Sequence, residues 1–269
     1  MITMKNKWIP AAFPLLAGLM AFSPASALEE QITEQSFAAE GISEYQRTVT
    51  ASGADLSEEA ETQLQLIADN LDLWAGDREF TSTYQYAVTD LDQNGRLEIL
   101  VSTCQGTGLF TYSSYYEVNE ALDGLNACEQ DLEEGASEAD LMYSAVPVYC
   151  DTEEDIYFYV FDDMIRNGYA ELYENKRAIS LSDGVIRNQF LAYRTTLSQD
   201  STPVITCTDA DGADISEETY DSIGDIVFAD LEKRTASLSW QSPENGIESL
   251  DSTSLLELLT DSCCGFQIF

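Results

Sequence analysis

The stretch Asp90-Leu91-Asp92-Gln93-Asn94-Gly95-Arg96-Leu97-Glu98 is an oxygen-rich loop between two strand-like runs, Tyr84–Thr89 and Leu97–Thr103. Side-chain oxygens at loop positions one, three, five and nine can converge on one hard cation. A backbone carbonyl near Arg96 can add another oxygen, and Gly95 permits the sharp turn that this convergence needs. The loop therefore predicts a Ca²⁺ site with five contributors. These are Asp90, Asp92, Asn94, Arg96 and Glu98.

The loop differs from an EF-hand, which needs a bidentate Glu at position twelve and flanking helices. Position twelve is Val101 here, and the flanking residues alternate as in half-buried strands. A plain hairpin is the alternative, because Asn94-Gly95 between apolar runs is a strong hairpin signal. We favour the cation, since three carboxylates crowded into one short loop repel one another without it.

The N-terminus has the features of an export signal. Lys5 and Lys7 precede an uncharged stretch that ends in Pro24-Ala25-Ser26-Ala27. This pattern predicts a signal peptide over residues 1–27. A membrane anchor is the alternative, but prolines interrupt the stretch and a small-residue cleavage site follows it. No later segment is apolar for long enough to span a bilayer, so we expect a secreted, extracellular protein without a membrane span in the mature chain.

The chain is strongly acidic, with 49 Asp and Glu, 12 Lys and Arg, and a formal charge of −37. Such a field disfavours nucleic acid and anionic membranes, and it attracts cations. We expect a solvated acidic coat, with a specific basic partner as the alternative. The expected partner is an extracellular glycan or protein whose identity the sequence leaves open.

Six cysteines follow the expected cleavage site. They are Cys104, Cys128, Cys150, Cys207, Cys263 and Cys264. An even number of cysteines in an exported chain suggests disulfide bonds. We expect no free thiol, with Cys263 and Cys264 bonded to two different partners among the other four. A zinc cluster is the alternative, but the chain has no CxxC spacing and no histidine.

The chain divides into three parts. After the signal peptide, residues 28–54 are polar and acidic, which predicts a flexible lead-in. Residues 55–269 predict one calcium-loop domain, long enough for a single core. Its first helix is expected to begin at Ser57, with apolar residues at helical spacing and Trp74 as a core anchor.

The rest of the chain predicts an α+β fold, mainly an antiparallel β meander with an N-terminal helix and two C-terminal helices. Turn signals separate the expected strands. These strands are Leu109–Val118, Val146–Cys150, Ile156–Phe161, Val185–Arg194 and Val204–Thr208. Ser216 is expected to cap a helix that runs to about Leu231. Asp251 or Ser252 is expected to cap a last helix that ends near Gly265.

Four segments follow the first helix and Trp74 in the order YAVTDLDQNGRLEILVSTCQGTG, SYYEVNEALDGL, a pattern ending in SLSDG, and DGADISEETYD. Together they resemble a group of uncharacterised secreted proteins and lipoproteins of gut clostridia. The resemblance covers roughly residues 57–240, and the loop is its most specific motif. It implies export and a calcium-loop fold, and it implies no particular activity.

The loop is also similar to the calcium loops of integrin-type FG-GAP propellers, with Asp90, Asp92, Asn94 and Glu98 in the matching places. A propeller needs several blades, each with its own loop. This chain has one such loop, and we find no internal repeat. The resemblance therefore concerns the motif and does not extend to the propeller fold.

The absence of histidine excludes Ser-His-Asp and Cys-His catalysis and the common zinc hydrolases. GxSxG, SxxK, P-loop and GxGxxG strings are also absent. We expect a non-catalytic binding or surface-associated module stabilised by calcium and disulfide bonds. The alternative is a secreted carboxylate-dependent glycan hydrolase, because two acids at a set separation suffice for that chemistry.

Two weaker patterns have ordinary structural explanations. Asp209, Asp211 and Asp214 could wrap a second calcium ion, but a hairpin turn and a helix cap at Ser216 explain them without metal. Six tyrosines could line a groove for a glycan or peptide, but tyrosine is also a favoured strand residue. They are Tyr112, Tyr115, Tyr116, Tyr149, Tyr157 and Tyr159. We favour the structural explanation in both cases.

Overall fold

A computed structural model of the protein describes residues 56–75, 83–105, 110–132, 141, 143–168, 170–199 and 202–269. The described residues all belong to one compact unit, Ala51–Phe269. The expected signal peptide and the expected lead-in lie outside the described residues, so both stay predictions.

The described residues form five α-helices and thirteen strands. The helices are α1 (Glu58–Asp69), α2 (Leu71–Trp74), α3 (Glu217–Asp221), α4 (Ile223–Val227) and α5 (Ser252–Gly265). The first strands are β1 (Tyr84–Thr89), β2 (Glu98–Gln105), β3 (Phe110–Val118), β4 (Leu125–Ala127), β5 (Glu129–Leu132) and β6 (Ala145–Asp151). The others are β7 (Ile156–Asn167), β8 (Glu171–Ser182), β9 (Val185–Gln199), β10 (Thr202–Asp209), β11 (Asp214–Ile215), β12 (Glu232–Ser237) and β13 (Gln267–Ile268).

The predicted α+β class is confirmed, with mostly antiparallel sheets and helices near both ends. The first sheet has the order β1-β2-β3-β4. The second has the order β11-β10-β9-β8-β7-β6-β12-β13, and β5 pairs with β9 in parallel. The helix expected from Ser216 to about Leu231 is instead divided at Ser222 into α3 and α4.

Helix α1 begins where the sequence predicts. The Ser57 side chain accepts a hydrogen bond from the Ala60 N–H, and three acids in the first turn face the positive end of the helix dipole. Trp74 is buried, donates its indole N–H to the Ile67 carbonyl and lies edge-on to Tyr86. The expected role of Trp74 as a core anchor is therefore confirmed.

The two sheets and the helices form four layers, and one core cluster lies between each pair of neighbouring layers. The helix-side cluster lies between the first sheet and helices α1 and α5, and it includes Leu64, Ile67, Trp74, Tyr86, Val88, Leu255 and Leu259. The intersheet cluster includes Ala87, Leu91, Leu100, Tyr115, Val148, Tyr159, Phe161 and Ile179. The outer cluster lies between the second sheet and α3 and α4, and it includes Tyr149, Val160, Ala178, Tyr220 and Phe228.

The six tyrosines of the possible groove do not share one surface. Tyr115, Tyr149 and Tyr159 are buried in strands β3, β6 and β7, whereas 47% of Tyr112 is exposed. Tyr115 and Tyr159 belong to the intersheet cluster, and Tyr149 belongs to the outer cluster. The interpretation of these tyrosines as strand residues agrees with the structure.

The cysteines are distributed over all three clusters. Cys128 and Cys150 belong to the intersheet cluster or pack against it, Cys263 packs against the helix-side cluster, and Cys207 lies in the outer cluster. These four cysteines and Cys264 carry free thiols in the structure, and the side chain of Cys104 is outside the described set. The disulfide bonds expected for the exported protein stay a prediction.

Candidate metal centre

The oxygen-rich loop connects β1 to β2, whose last and first residues, Thr89 and Glu98, face each other in the antiparallel register. The structure brings Asp90, Asp92 and Glu98 together. Each of the three offers a carboxylate oxygen, and these oxygens all lie within 4.8 Å of one another. The described residues contain no other such cluster of histidine, cysteine or acidic side chains.

Strand alternation explains why Glu98 is buried. Ile99 and Val101 point toward the helices, so Glu98 and Leu100 point toward the second sheet. The Glu98 side chain is 0% exposed, and its Oε2 accepts hydrogen bonds from the Leu91 N–H at 2.7 Å and from the Thr89 hydroxyl at 3.1 Å.

The other oxygen of Glu98, Oε1, is buried and accepts no hydrogen bond in the described structure. Burial raises the pKa of Glu98 well above its ordinary value, and the neighbouring charges of Asp90 and Asp92 raise it further. An ionised carboxylate in such a place is costly unless a cation or a donor compensates it.

Asp90 has the same asymmetry between its two oxygens. Its Oδ2 accepts the Gly95 N–H at 3.2 Å, whereas its Oδ1 is buried and has no hydrogen-bond donor among the described residues. Burial raises the pKa of Asp90 to about 6, with a further contribution from the charge of Asp92. In both Glu98 and Asp90, a backbone N–H bonds one carboxylate oxygen, and the other oxygen is buried without a hydrogen-bond donor in the described structure.

Asp92 completes the carboxylate cluster from the more exposed side. Its Oδ1 accepts the Asn94 backbone N–H at 3.3 Å, and its Oδ2 accepts the Asn94 side-chain amide at 2.9 Å. Burial raises the pKa of Asp92, and the negative charge of Glu117 adds to this effect. Asp92 is therefore a third acid that a bound cation would stabilise in its ionised form.

Asn94 and Arg96 are placed differently from the three acids. The amide oxygen of Asn94 accepts the Arg96 N–H at 2.7 Å, and its amide nitrogen donates to Asp92 and to Glu117. The Arg96 guanidinium forms an ion pair with Glu117 at 2.6 Å. The structure therefore brings together the three acids of the predicted set, whereas the Asn94 and Arg96 side chains are bonded to other groups.

The turn itself depends on Gly95. This residue has a φ of 84°, in the left-handed region that favours glycine, and Gln93, two positions earlier, has a φ of 55°. The turn aims the Gly95 N–H at Asp90. The sharp turn predicted from the sequence is present.

Two side chains from outside the loop hold its backbone. Gln63 of α1 donates to the Gly95 carbonyl and accepts the Leu97 N–H, both at 2.8 Å. The Tyr159 hydroxyl of β7 donates to the Leu91 carbonyl at 2.6 Å. Neither contact is predictable from the sequence, because Gln63 and Tyr159 lie far from the loop along the chain and belong to no recognisable motif.

The loop also forms part of the wall of a cavity of about 1020 Å³. Asp92, Arg96 and Glu117 line one part of it. Its other carboxylates are Glu120, Glu129, Glu154, Asp155 and Asp183. Tyr157 is the aromatic side chain among the described residues that line it. Among the described residues of the wall, Arg96 is the one basic residue and it is paired with Glu117, so this part of the cavity is strongly acidic.

The second acidic segment folds as a turn. The Asp209 carboxylate accepts the backbone N–H groups of Asp211 and Ala213 at 3.0 and 2.9 Å. The Ser216 side chain caps α3 by accepting the Thr219 N–H. These bonds agree with the favoured explanation, a hairpin turn followed by a helix cap.

The buried carboxylates predict an unusual pH dependence for the metal-free protein. The folded-state pKa of Asp90, about 6, exceeds its ordinary value of 3.8, so the folded chain binds this proton more tightly than the unfolded chain. The Asp90 contribution should therefore increase stability as the pH falls from about 7 to about 5, and decrease it as the pH rises again. The pKa of Glu98 is also raised, so its protonation should likewise increase stability as the pH falls.

This dependence can be measured by urea unfolding in chelator at both pH values. The Asp90→Asn variant has no titrating group at this position, so its stability should increase much less than that of the wild type when the pH falls from about 7 to about 5. The difference between wild type and variant isolates Asp90 from the many exposed acids. An identical pH dependence for both proteins would contradict the assignment of a raised pKa to Asp90.

Similarity to known proteins assigns no function to this chain. No protein-family model, no curated protein and no solved structure matches this chain. In the described part of the chain, no helix is both long and apolar enough to cross a membrane.

Proposed function

We propose that the protein is a secreted calcium-binding module whose fold is stabilised by one Ca²⁺ held in the loop from Asp90 to Glu98. The observation that supports this most strongly is the pair of buried oxygens without donors, Glu98 Oε1 and Asp90 Oδ1, within a three-carboxylate cluster. A hairpin without metal gives no reason to bury uncompensated carboxylates, whereas a cation compensates both.

The donor set favours calcium over softer metals. The three clustered side chains offer only carboxylate oxygens, which suit hard cations, and zinc and copper sites in proteins usually use nitrogen or sulfur. A loop with additional amide and carbonyl oxygens suits the larger coordination number of calcium better than the strict octahedron of magnesium. When bound, the ion would supply positive charge that offsets the mutual repulsion of Asp90, Asp92 and Glu98.

The module is proposed to act outside the cell, as the lysine start and the small-residue cleavage pattern of residues 1–27 suggest. It is proposed to act without catalysis, since the sequence has no histidine and none of the common catalytic motifs. Its proposed partner is an extracellular glycan or protein, and its charge of −37 disfavours nucleic acid. The resemblance to secreted proteins and lipoproteins of gut clostridia supports the same proposal. Disulfide bonds among the six cysteines belong to it as an expectation for the oxidised protein.

Glycan hydrolysis is the second candidate, because the acidic cavity beside the loop has carboxylates on several parts of its wall. A glycan screen of the mature protein separates the two functions. Release of new reducing ends would identify hydrolysis, and retention of uncleaved glycan would identify binding.

Thermal unfolding of residues 28–269 tests the calcium site. Extracellular modules hold calcium with a Kd of about 10⁻⁴–10⁻³ M. An excess of about ten- to a hundredfold over this Kd stabilises the fold by about 1.4–2.7 kcal/mol. For a chain of this size we expect the Tm to rise by about 3–10 °C, and chelator should reverse the rise. An equal Tm in calcium and in chelator would refute the proposed site.

A further inference from the structure

Gln63 is a polar residue on the buried face of α1. It is 2% exposed and lies beside the core residues Leu64 and Ile67. An amide in this position needs partners, because a buried amide without hydrogen bonds is costly. Its two partners are backbone groups of the loop from Asp90 to Glu98. They are the Gly95 carbonyl and the Leu97 N–H.

These two backbone groups lie on either side of Arg96, at the point where the loop enters β2. Gly95 donates its own N–H to Asp90, and Leu97 directly precedes Glu98. The Leu97 carbonyl in turn accepts the Val118 N–H of the neighbouring chain segment. Gln63 thus fixes the backbone between two of the three clustered carboxylates without offering an oxygen to the metal itself.

We propose that Gln63 is a positioning residue for the calcium loop, and that it couples calcium binding to the docking of α1. This inference rests on the proposed calcium site. The side-chain amide holds the Gly95–Leu97 backbone in the conformation that brings Asp90 and Glu98 together. Calcium stabilises the same conformation from the other side, so each should strengthen the other, as reciprocal coupling requires.

The coupling distinguishes this role from ordinary packing. A residue that only stabilises the helix lowers the Tm when it is replaced, but it leaves the calcium affinity of the folded protein unchanged. A positioning residue changes the affinity as well. Groups that orient metal ligands without touching the metal typically account for about 10- to 100-fold in affinity.

Calorimetric calcium titration of folded protein, well below its Tm, tests the inference with two variants. Gln63→Met keeps the length of the side chain and loses both hydrogen bonds, and we expect it to bind calcium about tenfold more weakly or worse. Ile67→Val on the same buried face of α1 is the control, with a lower Tm and unchanged affinity.

Amide hydrogen exchange of the wild type gives a readout that depends on no variant. Calcium should slow exchange at Leu97 and along α1 together, relative to chelator. If the wild type fails to bind calcium, both the proposed site and this inference fail. If the wild type binds but Gln63→Met binds equally well, or if calcium leaves exchange in α1 unchanged, the inference is wrong and the calcium site stands.

Discussion

Replacing Glu98 by glutamine is expected to abolish calcium-dependent stabilisation while leaving the metal-free protein as stable as the wild type or more so. The amide oxygen can keep the hydrogen bonds from Leu91 and Thr89 that Oε2 now accepts. The amide nitrogen can donate toward Asp90 Oδ1, which has no donor in the described structure. The variant also removes a buried acid next to Asp90 and Asp92, and with it one carboxylate of the proposed calcium site.

Thermal unfolding in calcium and in chelator measures both effects. Wild type should gain about 3–10 °C with calcium, and Glu98→Gln should gain nothing. Glu257→Gln makes the same chemical change on the exposed surface of α5 and should behave as wild type in both conditions. A Glu98→Gln protein that still gains stability from calcium, or that unfolds more readily in chelator, would show that the Glu98 charge has another role.

Replacing Asp163 by leucine is expected to destabilise the fold by about 3–5 kcal/mol, because it leaves the Arg177 cation buried without its counter-ion. Asp163 Oδ2 lies 3.4 Å from Arg177 Nε, and the two side chains are only 8% and 7% exposed. Arg177 also lies over the Phe190 ring and donates to Asn188. Since total stability is typically about 5–15 kcal/mol, this loss is large.

The double variant Asp163→Leu with Arg177→Met is expected to recover most of the lost stability, because removing both charges also removes the cost of burying them. Urea unfolding of wild type, both single variants and the double variant gives the coupling energy. Glu232→Gln, in an exposed pair with Arg234, is the control and should have little effect. A double variant as unstable as Asp163→Leu alone would contradict this explanation.

Local features of the fold could be predicted because their causes are local. Ser57, Ser216 and Asp251 each cap a helix with a side-chain oxygen, as the sequence indicates. The loop between β1 and β2 was also predictable, since its acids, its glycine and the flanking alternation lie within a short stretch. The carboxylates that the structure brings together were all in the predicted set.

Features that depend on distant residues could not be predicted. Strand β8 carries Glu174, Lys176 and Arg177, which make it look too polar for a central strand. The structure pairs these side chains with acids and arginine on neighbouring elements, and this pairing permits their burial. For the same reason the contribution of Gln63 to the loop was invisible, because its amide partners lie more than thirty residues further along the chain.

The packing of α1 against α5 has a consequence for the order of events during biosynthesis. Leu255 and Leu259 of α5 cover the cluster that contains Leu64 and Trp74 of the first described helices. Synthesis starts at the N-terminus, so these early apolar side chains cannot be fully enclosed until α5 has left the ribosome. The helix-side cluster is therefore completed only after α5 has been synthesised, although α1 is made much earlier.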